Sequence, residues 1–356
     1  MKRKGLLTLF NYVCVIVVAL FLMMTIPNDA ESQKPIELKY ATHSTPAHHN
    51  YTSGALVWIK NVEKATGGRI KITPYPSQTL CKGRDTWEAV KGGIADIAHA
   101  FVGLFPGRFP VTEVAFLPTM PMDPNSTAGS STRVIMEAYH KFPEMQAEYA
   151  DVKLLWLHTM QPCFVATKKQ AVRKLEDLKG LKLRIAGTYI TEYMKGQGVA
   201  PILLAPPDMY ENMQKGVIDG YAYSWDGFLS RRMYEVTDYV TDARWYVGAF
   251  FTIMNLDVWK KLSPDIQKAI EGVTDIENSI LMAKQYDRDT DPAIELCKKR
   301  NIEVIRLSKA ESARWKKAAK PTWDRWIKDV EKKGISSKRA QEILDETLKL
   351  YEKYGE

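Results

Sequence analysis

The feature that most constrains the fold is the order of patterns between residues 36 and 101. Residues 36–41 (IELKYA) alternate apolar and polar side chains, as a half-buried strand does. A helical pattern runs from about Tyr51 to Ala65, and Thr66-Gly67-Gly68 ends it. RIKITPYP reads as a second strand, stopped by Pro74 and Pro76. A helix around Arg84–Gly92 leads into a third, IADIAHAF. Strand, helix, strand, helix, strand implies a parallel sheet with covering helices, because parallel neighbours need a crossover between them.

The alternation resumes after two proline-rich connectors, FPGRFP and LPTMPMDPN, and a helix near Thr132–His140. Strands are expected at VKLLWLHT, CFVATK, 182–186, 201–204, VIDGYAYS and GAFFTIMNL, with helices near 189–196, 208–215 and 227–236. Residues 256–356 read almost entirely as helix. Their tryptophans (Trp259, Trp315, Trp323 and Trp326) are spaced as packing residues against a main body. A chain of 356 residues is long enough for two domains. Two α/β lobes joined by crossing strands is the economical arrangement, with lobe I over 36–160 plus about 250–288, and lobe II over 161–249 plus about 289–356 with the C-terminal helices.

The first thirty residues differ in kind. Lys2, Arg3 and Lys4 precede an apolar run from Gly5 to Ile26, the layout of a secretory signal peptide cut after Ala30. The run is long for a signal, and Asn28-Asp29-Ala30 departs from the small-x-small pattern, so an uncleaved N-terminal anchor is the alternative. Either way the rest of the chain is expected to be exported and periplasmic. No later apolar run is long enough to span a bilayer. Three cations and one anion leave with the leader, so the net charge of +8 becomes +6. That mild excess suits an anionic small molecule, and no basic tract interleaved with aromatics points to nucleic acid. Cys81, Cys163 and Cys297 remain, an odd number at wide spacing that makes no disulfide framework.

Catalytic signatures are missing: no GxSxG, HExxH, GxxxxGK[ST] or strand-borne GxGxxG occurs. The expectation is a binder that catalyses nothing and carries no cofactor. Asp123-Pro-Asn125-Ser-Thr127-Ala-Gly129 resembles a calcium loop loosely, but its glycine falls one place late, and a capped turn before a helix fits better. All six histidines precede residue 159. His48-His49, with His43 nearby, lack the spacing and companions of a metal site. They follow the first strand's C-terminal end, where open α/β sheets hold ligands, so a hydrogen-bonding role in a pocket fits better. In GVIDGYAYSWDGF, Gly220 marks a turn or a close backbone approach. Tyr221, Tyr223 and Trp225 fall on one face of an extended segment, as core or as a pocket wall with Asp226 at its rim. Arg184, at the tip of the apolar strand in LKGLKLRIAG, is a solvated edge charge or an anion receptor.

Five segments in order resemble the solute-binding subunits of tripartite ATP-independent periplasmic (TRAP) transporters, the DctP-like family. They are EKATGGRIKITPYPSQTL, AVKGGIADIAHAFVGLFPGRFP, LEDLKGLKLRIAG, YENMQKGVIDG and YEVTDYVT. The resemblance runs from Ile36 to about Leu350. It implies a two-lobed periplasmic-binding-protein-like fold of type II, with hinge-crossing strands and a long helical tail. It also implies a small carboxylate as ligand, paired with Arg184, and TRAP membrane permease subunits as partners. A planar guanidinium meets a carboxylate in two parallel hydrogen bonds, which fixes orientation as well as charge. Some members carry a second arginine where this chain has Phe164, a departure that argues against a sialic-acid or C4-dicarboxylate ligand. His43 and Phe101 fall where pocket residues of the first lobe are expected, and His49 lies in the same loop. With Phe164, Tyr223, Trp225 and Asp226 they suggest an aromatic pocket for a monocarboxylate with an apolar or aromatic body.

Overall fold

The computed structural model describes residues 34–354 apart from residues 121, 124 and 205–207. The leader expected over residues 1–30 lies outside the described residues. Among the described residues no helix is long and apolar enough to cross a membrane.

The first half runs β1 (Ile36–Thr42), a wide π-turn (Asn50–Ala55) passing into α1 (Leu56–Ala65), β2 (Ile70–Tyr75), α2 (Thr86–Lys91), β3 (Ile97–Phe101), α3 (Ala128–Lys141), α4 (Pro143–Ala147) and β4 (Val152–Thr159). The chain then crosses to β5 (Phe164–Thr167), β6 (Lys182–Arg184), α5 (Thr188–Gly196), β7 (Ala200–Ile202), α6 (Met209–Gln214), β8 (Gly220–Tyr223), α7 (Trp225–Ser230) and β9 (Tyr239–Thr241). It returns as β10 (Ala249–Asn255), followed by α8 (Leu256–Lys261), α9 (Pro264–Glu271), α10 (Ile276–Asp287), α11 (Thr290–Lys299), β11 (Glu303–Ile305), α12 (Lys309–Ala318), α13 (Lys320–Glu331) and α14 (Ser337–Tyr354).

Two sheets result, ordered β2-β1-β3-β10-β4 and β11-β9-β5-β8-β6-β7. β1 and β3 are parallel, as the sequence pattern implies, but β10 runs antiparallel to both β3 and β4. In the second sheet β5 is antiparallel to both β8 and β9. The physical reason is shared: β5 and β10 are the strands fed from the other sheet. Their crossing segments bond to each other, Met160 N to Gly248 O at 2.9 Å, Cys163 N to Tyr246 O at 2.7 Å and Trp245 N to Cys163 O at 3.3 Å. β9 and β11 have three residues each, and sequence patterning did not register them.

Other local details also differ from the pattern reading. The extended segment after Gly220 ends at Tyr223, and Ser224 immediately precedes a helix that Trp225 begins. Tyr221 and Tyr223 therefore share a strand face, while Trp225 leaves it. Gly220 has an ordinary negative φ, so close approach rather than a turn explains it: a Cβ there would meet the Ala166 carbonyl oxygen at 2.2 Å. Around Asp123 the turn closes on itself, with Asn125 N donating to Asp123 Oδ1 at 2.8 Å, and Thr127 with Ser130 forms a capping box on α3.

The C-terminal helices bridge both cores. Trp315 on α12 is fully buried with Tyr193, Trp245 and Leu183 beneath the second sheet. Trp326 and Val330 on α13, and Ile343, Leu344 and Tyr351 on α14, join the core of the first. Trp326 Nε1 donates to Pro110 O at 2.6 Å, and the Tyr351 hydroxyl to Ala115 O at 2.6 Å. These helices thus belong to no single sheet.

One face of the first sheet carries a row of nearly parallel, stacked rings. His43, just past β1, stacks on His99 of β3 at 5.4 Å, and His99 stacks on His158 of β4 at 5.1 Å. Phe250 of β10 lies 5.2 to 5.9 Å from all three. Trp156 Nε1 donates to His158 Nδ1 at 3.2 Å, and the Asn50 amide lies 3.2 Å from Nε2. Burial disfavours charge on these imidazoles: His43 is lowered to about 4, His158 to about 3, and His99 well below its ordinary value.

Two outcomes follow from this packing. Unfolding releases rings that titrate near 6.5, so the unfolded chain takes up protons that the folded one refuses. Their contribution is full above that pH and is lost as pH falls from about 6.5 towards 4, by about 1.4 kcal/mol per pH unit for each ring. Thermal melts of the ligand-free protein should show that slope, and His99→Phe, which keeps a ring in the row, should flatten it. Gly220→Ala forces a methyl group into a backbone carbonyl and should cost about 1–3 kcal/mol, read by urea denaturation.

Candidate functional site

Arg184 is the last residue of β6, opposite Tyr221 of β8 in parallel register. The strand therefore delivers its guanidinium to the sheet face that carries Tyr221, Tyr223 and Phe164. The side chain is 6% exposed. Its Nε donates to Leu204 O at 3.1 Å, and its guanidinium carbon lies 5.5 Å from the centre of the Tyr223 ring. Among the described residues no carboxylate lies within ion-pair distance of it. An unpaired buried charge is costly, and a ring face and one carbonyl compensate it only in part.

The Tyr223 ring lies against Gly227 in the first turn of α7. A Cβ on Gly227 would meet Tyr223 Cε1 at 1.5 Å, so only glycine admits the ring there. The remaining aromatic residues divide. Phe164 is fully buried, with Trp225 at 4.6 Å, Phe228 at 5.9 Å and Tyr221 at 6.2 Å, inside the core under the second sheet. Trp225 lies in that same core. Phe101 is partly open. Its ring sits against Gly103 and Gly248 and lies 5.4 Å from Phe250. It lines a crevice of about 20 Å³ with Glu113, Gly187, Tyr189, Tyr246 and Gly248. Burial first, and then the charge of Glu148, push the Glu113 carboxyl up to about 8, so it is neutral at pH 7 and offers Arg184 no counter-charge.

Asp226 is buried rather than at a rim. His48 Nε2 meets its Oδ2 at 3.2 Å, and the Ser224 hydroxyl donates to its Oδ1. Burial alone would raise this carboxyl, but the hydrogen bond and charge of His48, with the Ser224 hydroxyl, hold it below the usual range. His48 follows β1 of the first sheet and Asp226 lies on α7, just after β8 of the second, so the pair ties together segments that leave different sheets. His49 is exposed and reaches Asp289 at 3.5 Å. His48 also edges onto Tyr286, whose hydroxyl accepts from Asn50 Nδ2 at 2.8 Å. Among the described residues no group of three or more His, Cys, Asp or Glu is placed to hold a metal.

The structure thus brings Arg184 and Tyr223 together, and His43 with Phe101 through Phe250, and it seats Phe164 and Trp225 behind them. Sequence patterning missed His48 as the partner of Asp226, and His99 and His158 as a shared wall. The clustering of all the histidines before residue 159 was the one signal for them.

The chain matches the profile of the DctP family, the bacterial extracellular solute-binding proteins of family 7, over residues 41–329. It is 26% identical over 296 residues to the outer membrane transporter protein TsaT of Comamonas testosteroni, covering 81% of this chain and 83% of that protein. It superposes with a TM-score of 0.82 and 25% identity on a TRAP solute-binding protein of an unidentified marine microbe, specific for aromatic acid ligands and solved with 3-hydroxybenzoate, over 91% of this chain and 100% of that one. A TRAP solute-binding protein of Rhodoferax ferrireducens, solved with copurified benzoate, shares the fold at TM-score 0.81 and 24% identity, over 90% of this chain and 98% of that one. With its two sheets, its bonded crossing strands and its bridging C-terminal helices, the chain belongs to the DctP family of extracellular solute-binding proteins, the solute-binding subunits of TRAP transporters.

Proposed function

We propose that this protein captures an aromatic monocarboxylate in the periplasm and hands it to TRAP permease subunits in the membrane, with no chemical turnover. The observation that carries this reading is the buried Arg184 guanidinium with no carboxylate partner among the described residues. A ligand carboxylate supplies the missing counter-charge in two parallel hydrogen bonds. The ligand's ring then rests among Tyr223, Phe101 and the histidine row, which offer apolar ring faces, the imidazoles being kept neutral by burial. The aromatic-acid specificity of the marine relative supports the same ligand class. Binding favours the arrangement with the lobes in contact only so far as the ligand prefers it to the open one, and the His48–Asp226 pair adds to that preference. Phe164 and Trp225 act from behind, by holding Tyr223 and α7 in place.

Calorimetry against benzoate, mandelate and succinate tests the reading with Arg184→Met. The substitution should weaken the preferred acid by more than about 30-fold, since truncating one partner of a buried charge pair costs about 2 kcal/mol or more. Without ligand, the same variant should melt at the wild-type temperature or above it, because it removes an uncompensated buried charge. Retained affinity, or a sharply destabilised ligand-free variant, would show that Arg184 holds the fold rather than the ligand.

A further inference from the structure

Arg184 has a counterpart beside the same tyrosine. Arg231 follows the last turn of α7, half-buried, and its Nε donates to the Tyr223 hydroxyl oxygen at 3.2 Å. Among the described residues its terminal amino groups meet no carboxylate or carbonyl. Tyr223 therefore stands between two guanidiniums, one over its ring and one at its hydroxyl, and Gly227 fixes the ring in that position. Arg231 also lies near the first lobe: its charge adds to burial and His48 in keeping His43 neutral. On that side two buried imidazole nitrogens, His43 Nδ1 and His99 Nε2, find no well-aligned hydrogen-bond partner among the described residues, the rings' backbone contacts being His43 to His99 and His99 to Phe251. Buried polar atoms are nearly always paired, so an imidazole nitrogen short of a partner, within the influence of a guanidinium whose terminal amino groups are also unengaged, is a place for a ligand atom.

Resting on the Arg184 reading, we propose that the ligand is an aromatic acid bearing a ring hydroxyl remote from its carboxylate, received by Arg231 from one lobe and by His43 from the other. A guanidinium only donates, so the substituent must accept. A neutral imidazole offers a donor or an acceptor nitrogen according to its tautomer. A hydroxyl both donates and accepts, and satisfies Arg231 with either tautomer. A second carboxylate satisfies Arg231 with only one of them. An unsubstituted ring leaves both groups unpaired, and desolvating them without a partner is the source of the discrimination. Arg231 and His43 are thus specificity residues, while Arg184 serves any small acid that enters.

The test is calorimetry at pH 7.5 on the purified protein with benzoate, 3-hydroxybenzoate, 4-hydroxybenzoate and the two corresponding benzene dicarboxylates. One of the hydroxy acids should bind at least roughly tenfold tighter than benzoate. Arg231→Met and His43→Phe should each reduce that ratio to within about threefold, and Arg231→Lys should keep part of it, since it retains the charge without the fork. Melting temperatures of the three variants control for folding. Arg184→Met should instead weaken all the acids together. Equal binding of benzoate and the hydroxy acids, a hydroxyl preference that survives both Arg231→Met and His43→Phe, or a preference for a dicarboxylate would overturn this inference and leave the Arg184 reading standing. No binding of any of these acids would overturn both.

Discussion

The antiparallel pairing of the two crossing segments is the constraint on which the rest depends. Residues 160–163 and 245–248 exchange backbone hydrogen bonds where the chain passes between sheets. Each crossing strand then enters its new sheet against the grain, which is why β5 and β10 are the antiparallel members among the pairings described. The same ribbon carries Tyr246 and Gly248 into the crevice and puts Met160 beside Phe101. A ribbon shared by both sheets thus positions residues of the crevice.

Around that ribbon the charges are handled in two ways. Asp226 is buried with every means of staying ionised: His48 at one oxygen, the Ser224 hydroxyl at the other. Arg184 is buried with a carbonyl and a ring face, neither of which neutralises it. Nearby Glu113 is held neutral by burial, and the three stacked histidines are held neutral as well. Neither Glu113 nor the histidines then compete with an anion for Arg184. Low dielectric strengthens its pairing with that anion.

Legibility tracked the range of the interaction. β4 was marked by its apolar run, and α1 by a helical period closed with glycines. The capped turn before α3 was readable from Asp, Asn and Thr, because a cap is made within a few residues. Gly220 was readable as a turn or a close approach, and only the Ala166 carbonyl across the sheet decided between them. The segment after Tyr223 was misread because alternation continued for one residue after the backbone had turned into a helix. The three-residue strands β9 and β11 carry no clear period and exist by virtue of their neighbours, β9 lying between β5 and β11 and β11 at the sheet edge.

Sequence alone determined the class of fold, the family, and the identity of Arg184 as a cation at a strand tip. These rest on local periodicity and on short ordered motifs, which neighbours along the chain specify. Tertiary structure decided what Arg184 meets, that Phe164 and Trp225 pack behind the site, and that Arg231 lies at the Tyr223 hydroxyl. It also decided that His48 finds Asp226, which is 178 residues away, and that four strands align three imidazoles on one face. The reason is physical. Ring stacking, burial and unpaired charge are properties of side chains brought together from distant segments, and no window of sequence contains both partners.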